Sequence, residues 1–301
     1  MWTKRTDLAL EAHEIWSESA QEQTELSGVM AQDKTVGGFN VTTVRILDEN
    51  GAQELGKPMG TYITLELDAF LRREDGAFNA GAIALAEEIS GLLNLQPYDT
   101  ALVVGLGNSA ITADAIGPVT AKHTMVTRHL VEKMPEKFGW ARRVSVLESG
   151  VLGTTGMESA ELIRAVTEKL RPDQVIVVDA LASRRLARVC RTVQLADTGI
   201  VPGSGVGNSR AAINRETLGV PVTAIGVPTV VDAATLAADL AEQAGATWVD
   251  PEDFEQFGGD MIVTPKEIDS SVNDISKFVG YALNLALHSG ITVDDITMFL
   301  S

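Results

Sequence analysis

The sequence predicts an α/β protein built on a doubly wound, mostly parallel sheet with helices on both faces. Three observations predict it. Short, apolar and largely β-branched runs recur, such as Leu102-Val103-Val104, Val175-Ile176-Val177-Val178 and Pro221-Val222-Thr223-Ala224-Ile225, and they read as strands buried on both faces. Amphipathic stretches of helical period alternate with them, as the crossovers of a parallel sheet must. A 45% hydrophobic content over 301 residues can also bury a full core, as one large domain or two small ones. No internal repeat, low-complexity stretch or linker divides the chain. One α/β domain with a decorated amino end is the economical reading.

The elements follow in order. Thr6 or Asp7 caps a short amphipathic helix through Leu8 and His13. Gln21 to Gly38 is polar and reads as loop. Val41 to Leu47 is a strand, Asp48-Glu49-Asn50-Gly51 a turn, and Gly60 to Leu67 a second strand. A helix spans Ala80 to Leu93, and the central strand begins at Ala101 and ends at Gly105. A long loop carrying Asp114 then leads to Pro118, which suits a first helical turn because its missing N–H is no loss there. That helix is expected to reach Met134.

The next strand is Val144 to Leu147, followed by the glycine-rich loop Gly150–Gly156 and a helix from Met157 to Leu170. Val175 to Asp179 repeats the plan of the central strand, apolar and ending in an acid. A helical turn over Ser183 to Arg188 leads to a strand at Arg191 to Leu195. A second glycine-rich loop, Pro202 to Arg210, precedes the strand Pro221 to Gly226 and a helix from Asp232 to Gln243. Thr264-Pro265-Lys266-Glu267 has the form of a capping box opening a final helix towards His288.

Composition narrows the function. A net charge of −17 argues against nucleic acid or an anionic membrane as partner, since both need basic surface. The single cysteine, Cys190, excludes an intramolecular disulfide, suits a reducing cytoplasm and reads as packing. No apolar run approaches the length of a membrane span. His123 and His129 stand about 240° apart around one helix, so zinc held by histidine and cysteine is not expected.

The chemical signal is the pair Asp114 and Asp179. Each lies just beyond the carboxyl end of a central strand, where open α/β sheets bind ligands. Either alone reads as a turn or helix cap. Together they suggest a shared site, because two close carboxylates can share a proton and split the roles of acid and base. Gly105-Leu106-Gly107-Asn108-Ser109-Ala110 matches the dinucleotide fingerprint in letters only. Its helix waits for Pro118 and the nearest strand-end acid, Glu148, is far too distant, so no cofactor is expected. The glycine-rich loops admit close approach of an extended ligand. Arg210, beside Asn208, reads as a partner for an acidic side chain or for an internal ion pair, and Arg184, Arg185, Arg188 and Arg191 as a solvated helix face or an interface.

The segments TDLALEA, VVGLGNSAITADAIGP, GVLGTTGMES, VIVVDALASRRL, GSGVGNSRAAINRETLGVPVTAIGVPTVVDA and TPKEID resemble the germination protease family of endospore-forming bacteria. The resemblance runs from residue 6 to the last helix. It implies an endopeptidase of the spore core cytoplasm that degrades small acid-soluble spore proteins, works as a homotetramer and is made as a zymogen that cleaves itself. The implied fold is phosphorylase/hydrolase-like, as in the hydrogenase maturation proteases. Carried onto this chain, the catalytic aspartates are Asp114 and Asp179, in an atypical aspartic-type mechanism without metal or cofactor. A metal-dependent peptidase of the maturation type and a non-catalytic dinucleotide-binding module are the alternatives. Asn108, Gly153, Thr154, Asn208 and Arg210, with Arg185 behind, are the candidates for holding the peptide. Residues 1–7 would form a short pro-segment and 8–301 a single peptidase domain. Thr6-Asp7-Leu8-Ala9 has the form of the implied substrate, an acid followed by an apolar residue, which places self-cleavage between Asp7 and Leu8.

Overall fold

The computed structural model describes residues 6–19, 26–245 and 261–301. Its framework is a nine-stranded mixed sheet. The strands are β1 (Val29–Val36), β2 (Phe39–Ile46), β3 (Gly60–Glu66), β4 (Ala101–Leu106), β5 (Val144–Gly150), β6 (Gln174–Ala182), β7 (Thr192–Ala196), β8 (Val222–Asp232) and β9 (Ile262–Val263). They lie in the order β1-β2-β3-β7-β8-β6-β4-β5, with β9 on β8. Strands β8, β6, β4 and β5 form the parallel centre. Strands β1, β2, β3 and β7 extend it antiparallel.

Period-two alternation divides the core between the two faces. Val103, Ile176 and Val178 join one apolar cluster, while Leu102, Val104, Val175 and Val177 join the other. The helices that cover them include α1 (Ala9–Ser19), α2 (Glu49–Leu55), α3 (Ala77–Leu92), α4 (Ile116–Lys122), α5 (Ser159–Leu170), α6 (Ala233–Gln243), α7 (Ile268–Leu287) and α8 (Val293–Leu300). Helices α3 and α7 pack together on the first face, and α1 and α5 lie over the second. The doubly wound α/β expectation holds, with parallel pairing confined to the centre.

Several expected elements differ. The polar stretch before Gly38 contains the strand β1; it is an edge strand, mostly exposed, so it has no apolar alternation to read. Gly37 and Gly38, at φ +56° and +87°, form the tight two-residue turn into β2. Residues 21–25 of the expected loop lie outside the described residues. The turn expected at Asp48–Gly51 is helix α2, in which Asp48 accepts from Gly51 N at 2.9 Å. The single helix expected over residues 118–134 is α4 followed by two short helical segments. Asn284 explains the first break, accepting from Met125 N and donating to His123 O at 2.8 Å each, and Pro135 opens the second short segment.

Thr264 does not cap the last long helix. Its hydroxyl donates to Thr229 O at 2.9 Å and α7 starts at Ile268 without a side-chain cap. Helix α8, capped reciprocally by Thr292 and Asp295, follows beyond the expected end. Most relevant to the site, β6 continues three residues past Asp179, so this acid sits inside the strand rather than at its end.

Candidate active site

Asp114 is carried by a loop that lies unusually close to the sheet, and three glycines make that possible. A Cβ on Gly105 would come 2.4 Å from Gly117 O, and one on Gly117 would come 2.2 Å from Leu106 O and 2.4 Å from Val178 O. Gly107 adopts φ +110°, where its missing Cβ leaves room for Asp114 O at 2.1 Å. The glycine pattern that looked like a nucleotide fingerprint is thus a steric device. It lets a 3₁₀ turn at Thr112–Asp114 press against β4 and β6. Thr229, on β8, ties the turn down by donating to Ala113 O at 2.6 Å.

Within this loop Asp114 accepts from Asn108 N at 2.8 Å. Burial pushes its carboxyl above the ordinary range, against the pull of that N–H. Asp179 is deeper, buried in β6 opposite Gly226 of β8. Among the described residues it accepts from Ala180 N alone, at 2.9 Å. Desolvation raises its pKa well above the carboxylate range, the charge of Asp114 raises it further, and Asp7 adds to the effect. The two acids line one cleft of about 420 Å³. The asymmetry has a direction: deeper burial and the neighbouring Asp114 charge raise the Asp179 carboxyl further than burial raises that of Asp114.

The amino-terminal segment reaches this cleft. Asp7 N donates to Ala182 O, and Ala182 N donates back to the Asp7 carboxylate, each at 2.9 Å. Ser204 Oγ donates to the same carboxylate at 2.6 Å. The Asp7 carbonyl oxygen accepts from Lys57 Nζ at 3.1 Å and from Gln194 Nε2 at 3.2 Å. Leu8, the next residue, is fully buried. On the far side of Asp7 a second cavity of about 230 Å³ opens between Lys57, Tyr62, Gln194 and Ser204. Of the two candidate caps of α1, Thr6 takes the local role, its Oγ1 accepting from Leu8 N at 3.0 Å, while the Asp7 side chain docks in the cleft.

Helix α1 holds the segment in place. Glu11, fully buried, accepts from Arg184 N at 2.6 Å and Arg185 N at 3.0 Å. Arg188 pairs with Glu11 and Glu14, Arg184 with Glu18 and Asp239, and Arg185 with Glu18. Of the two readings of this arginine cluster, the structure realises the interface, within the chain, with Arg184 only 2% exposed. Cys190 is buried, as packing requires.

The remaining candidates divide. Asn108, Gly153, Asn208 and Arg210 line the cleft with the aspartates. Arg210 is exposed and pairs with Glu158 at 3.4 Å. Thr154 is exposed and its hydroxyl turns back to Val151 in its own helical turn, while Arg185 faces α1 rather than the cleft. Sequence reasoning missed Lys57, Gln194 and Ser204. They share no spacing: 137 residues separate Lys57 from Gln194, and only the sheet order brings them together. Among the described residues no three His, Cys, Asp or Glu side chains gather as metal ligands would.

Known proteins resemble this chain along nearly its whole length. The peptidase A25 family model, described as germination protease, matches residues 9–244. The chain is 41% identical to a germination protease of Clostridium perfringens, with all of both chains covered. It is 43% identical to the germination protease of Caldanaerobacter subterraneus subsp. tengcongensis over 98% of each chain, and 36% identical to that of Oceanobacillus iheyensis over 98% and 97%.

Proposed function

Because the chain belongs to the germination protease family, a family of peptidases, we propose that it hydrolyses small acid-soluble spore proteins in the spore core cytoplasm. The observation that carries the reading is the coupled pair Asp114 and Asp179, desolvated to different depths in one cleft that also holds an acidic residue of a peptide segment. Ionised Asp114 takes a proton from water, and the hydroxide adds to the scissile carbonyl carbon. Asp179 gives its proton to the leaving amine nitrogen as the C–N bond breaks. The proton on Asp114 then passes to Asp179 and restores the pair. Asn108, Gly153, Asn208 and Arg210 border the path of the substrate.

The position of Asp7 supports self-processing between Asp7 and Leu8, with residues 1–7 as the pro-segment; the homotetramer is proposed on the family resemblance alone. The purified full-length protein, incubated with a small acid-soluble spore protein, should yield discrete endoproteolytic fragments and a chain beginning Leu8-Ala9-Leu10. Intact mass spectrometry reads both. Asp114→Asn should abolish them, and exhaustive chelation should leave both rates unchanged. Trimming of the Asp114→Asn protein at the wild-type rate would remove the self-processing reading.

A further inference from the structure

The step just described leaves negative charge developing on the carbonyl oxygen, and neither aspartate is assigned to it. The contacts of Asp7 supply what is missing. From them we infer that the seat now occupied by Asp7 is the enzyme's subsite for the acidic residue on the amino side of the scissile bond: Ala182 N–H and Ser204 Oγ bind its carboxylate, and Lys57 with Gln194 bind its carbonyl oxygen. The inference rests on the peptidase reading above and names residues for that site.

Four features make the seat specific. Both donors to the carboxylate are neutral, one of them a backbone N–H fixed by β6, so they select an acceptor group of defined shape rather than charge alone. Gly205 closes the seat: a Cβ there would lie 2.2 Å from Asp7 Oδ2. Its main chain needs no positive φ, so the constraint is the space occupied by the carboxylate. One main-chain bond, Asp7 N to Ala182 O, and one from Ala182 N to the Asp7 side chain fix the residue beside the end of β6, the strand that carries Asp179. Finally, Lys57 Nζ and Gln194 Nε2 both donate to the one carbonyl oxygen, and Lys57 Nζ reaches Thr6 O as well; paired donors of this kind stabilise an oxyanion better than a neutral carbonyl. Gln194 also fixes the following residues, its Oε1 accepting from Ala9 N at 2.7 Å.

Arg210, the other candidate for an acidic side chain, is engaged by Glu158 on the cleft wall, whereas the Asp7 carboxylate is held by Ala182 and Ser204. The two assignments therefore separate cleanly by mutation.

The test uses the full-length Asp7→Lys, Asp114→Asn chain, whose residue 7 does not fit the seat beside Gly205 and which cannot turn over. Acetyl-Thr-Asp-Leu-Ala-amide and its Thr-Asn-Leu-Ala counterpart are titrated while the amide signals of Ala182 and Gly205 are followed by NMR. The Asp peptide should bind with a Kd about tenfold lower than the Asn peptide, the scale of one charge-assisted hydrogen bond. Ser204→Ala should erase that preference, and Arg210→Gln should keep it. In the otherwise wild-type chain Lys57→Met should lower turnover of the Asp peptide about 10²-fold or more with little change in KM. No shift at Ala182, equal affinity for the two peptides, or a preference lost with Arg210 and kept without Ser204 would overturn the subsite. A preference that behaves as expected, with no hydrolysis by wild type, would overturn the peptidase reading alone.

Discussion

The two ends of the cleft solve opposite electrostatic problems. At the end that holds Asp114 and Asp179, two carboxylates are enclosed by apolar strands, and each accepts one main-chain N–H, from Asn108 or Ala180. At the amino-terminal end, charge is answered group for group. The Asp7 carboxylate has two donors, and Glu11 and Glu14 have arginines. Under-solvation at the first end raises both carboxyls, Asp179 further than Asp114, which is the asymmetry the proposed acid and base roles need. Compensation at the second end holds a peptide segment in place, which is binding. A buried carboxylate is thus costly or stabilising according to its donors rather than its depth.

If that contrast is right, the largest effect comes from neutralising the under-solvated pair. Asp114→Asn and Asp179→Asn should each lower kcat/KM by roughly 10³-fold or more, and the double variant should be little worse. Steady-state kinetics on a small spore protein decides it. Near-normal turnover in either single variant would remove that residue from the pair.

The compensated end predicts a loss of stability instead of rate. Glu11→Ala leaves the N–H groups of Arg184 and Arg185 and part of the Arg188 guanidinium unanswered in a buried place. Breaking such a cluster costs about 3 kcal/mol or more, although detachment of the segment can limit the loss to the amino end. Hydrogen exchange over residues 6–19 should therefore rise far more than in α7. Uniform exchange across both would show that α1 is part of the global core.

Much of the catalytic end was legible in the sequence because its determinants are local. An apolar β-branched run followed within about a dozen residues by an acid announces a buried strand and a presented carboxylate, and Asp114, with Gly105 between, and Asp179 came from that pattern. Asp179 looked like a strand end because its charge interrupts the β-branched run; Ala180, Leu181 and Ala182 after it are apolar and stay paired with β8. The other end was illegible for a physical reason. Lys57 follows a helix the sequence disguised as a turn, Gln194 lies in a strand between arginines and a glycine loop, and Ser204 is one serine among loop residues. Their meaning arises from the β3-β7-β8 adjacency, which no local period encodes. Edge strand β1 failed similarly, since exposure removed its alternation.

A smaller effect, of opposite sign, sharpens the contrast. The folded-state pKa of Asp179 lies above its unfolded value. From the ordinary carboxylate range up to that raised pKa, the folded chain keeps a proton that the unfolded chain has released. Stability therefore falls as pH rises through this window. Asp179→Asn removes the penalty while keeping an acceptor for Ala180 N–H. It should stabilise the protein at pH 8 by about 0.5–2 kcal/mol, and the gain should shrink towards pH 4. Chemical denaturation at the two pH values measures it. A variant less stable at pH 8 would mean that the ionised acid contributes favourable contacts in the fold.

The smallest expected effect belongs to Arg210, and it bears on which charges in the cleft matter for recognition. Its guanidinium is exposed and 3.4 Å from the Glu158 carboxylate. An exposed ion pair is worth about 0–1 kcal/mol, and an arginine already paired in water has little left to offer a substrate acid. Arg210→Gln should therefore change the ratio of kcat/KM for Glu-containing and Gln-containing peptides less than about fivefold, with the residual effect fading as salt is raised. Arg210→Glu should do somewhat more, because it places two acids, itself and Glu158, beside an acidic substrate. Measured at two ionic strengths, a small salt-sensitive change assigns Arg210 to long-range attraction at the cleft rim. A large, salt-independent loss confined to the Glu peptide would instead place the substrate carboxylate on Arg210, and the division of the cleft into a catalytic end and a compensated acid-binding end would have to be redrawn around the loop at Pro202–Arg210.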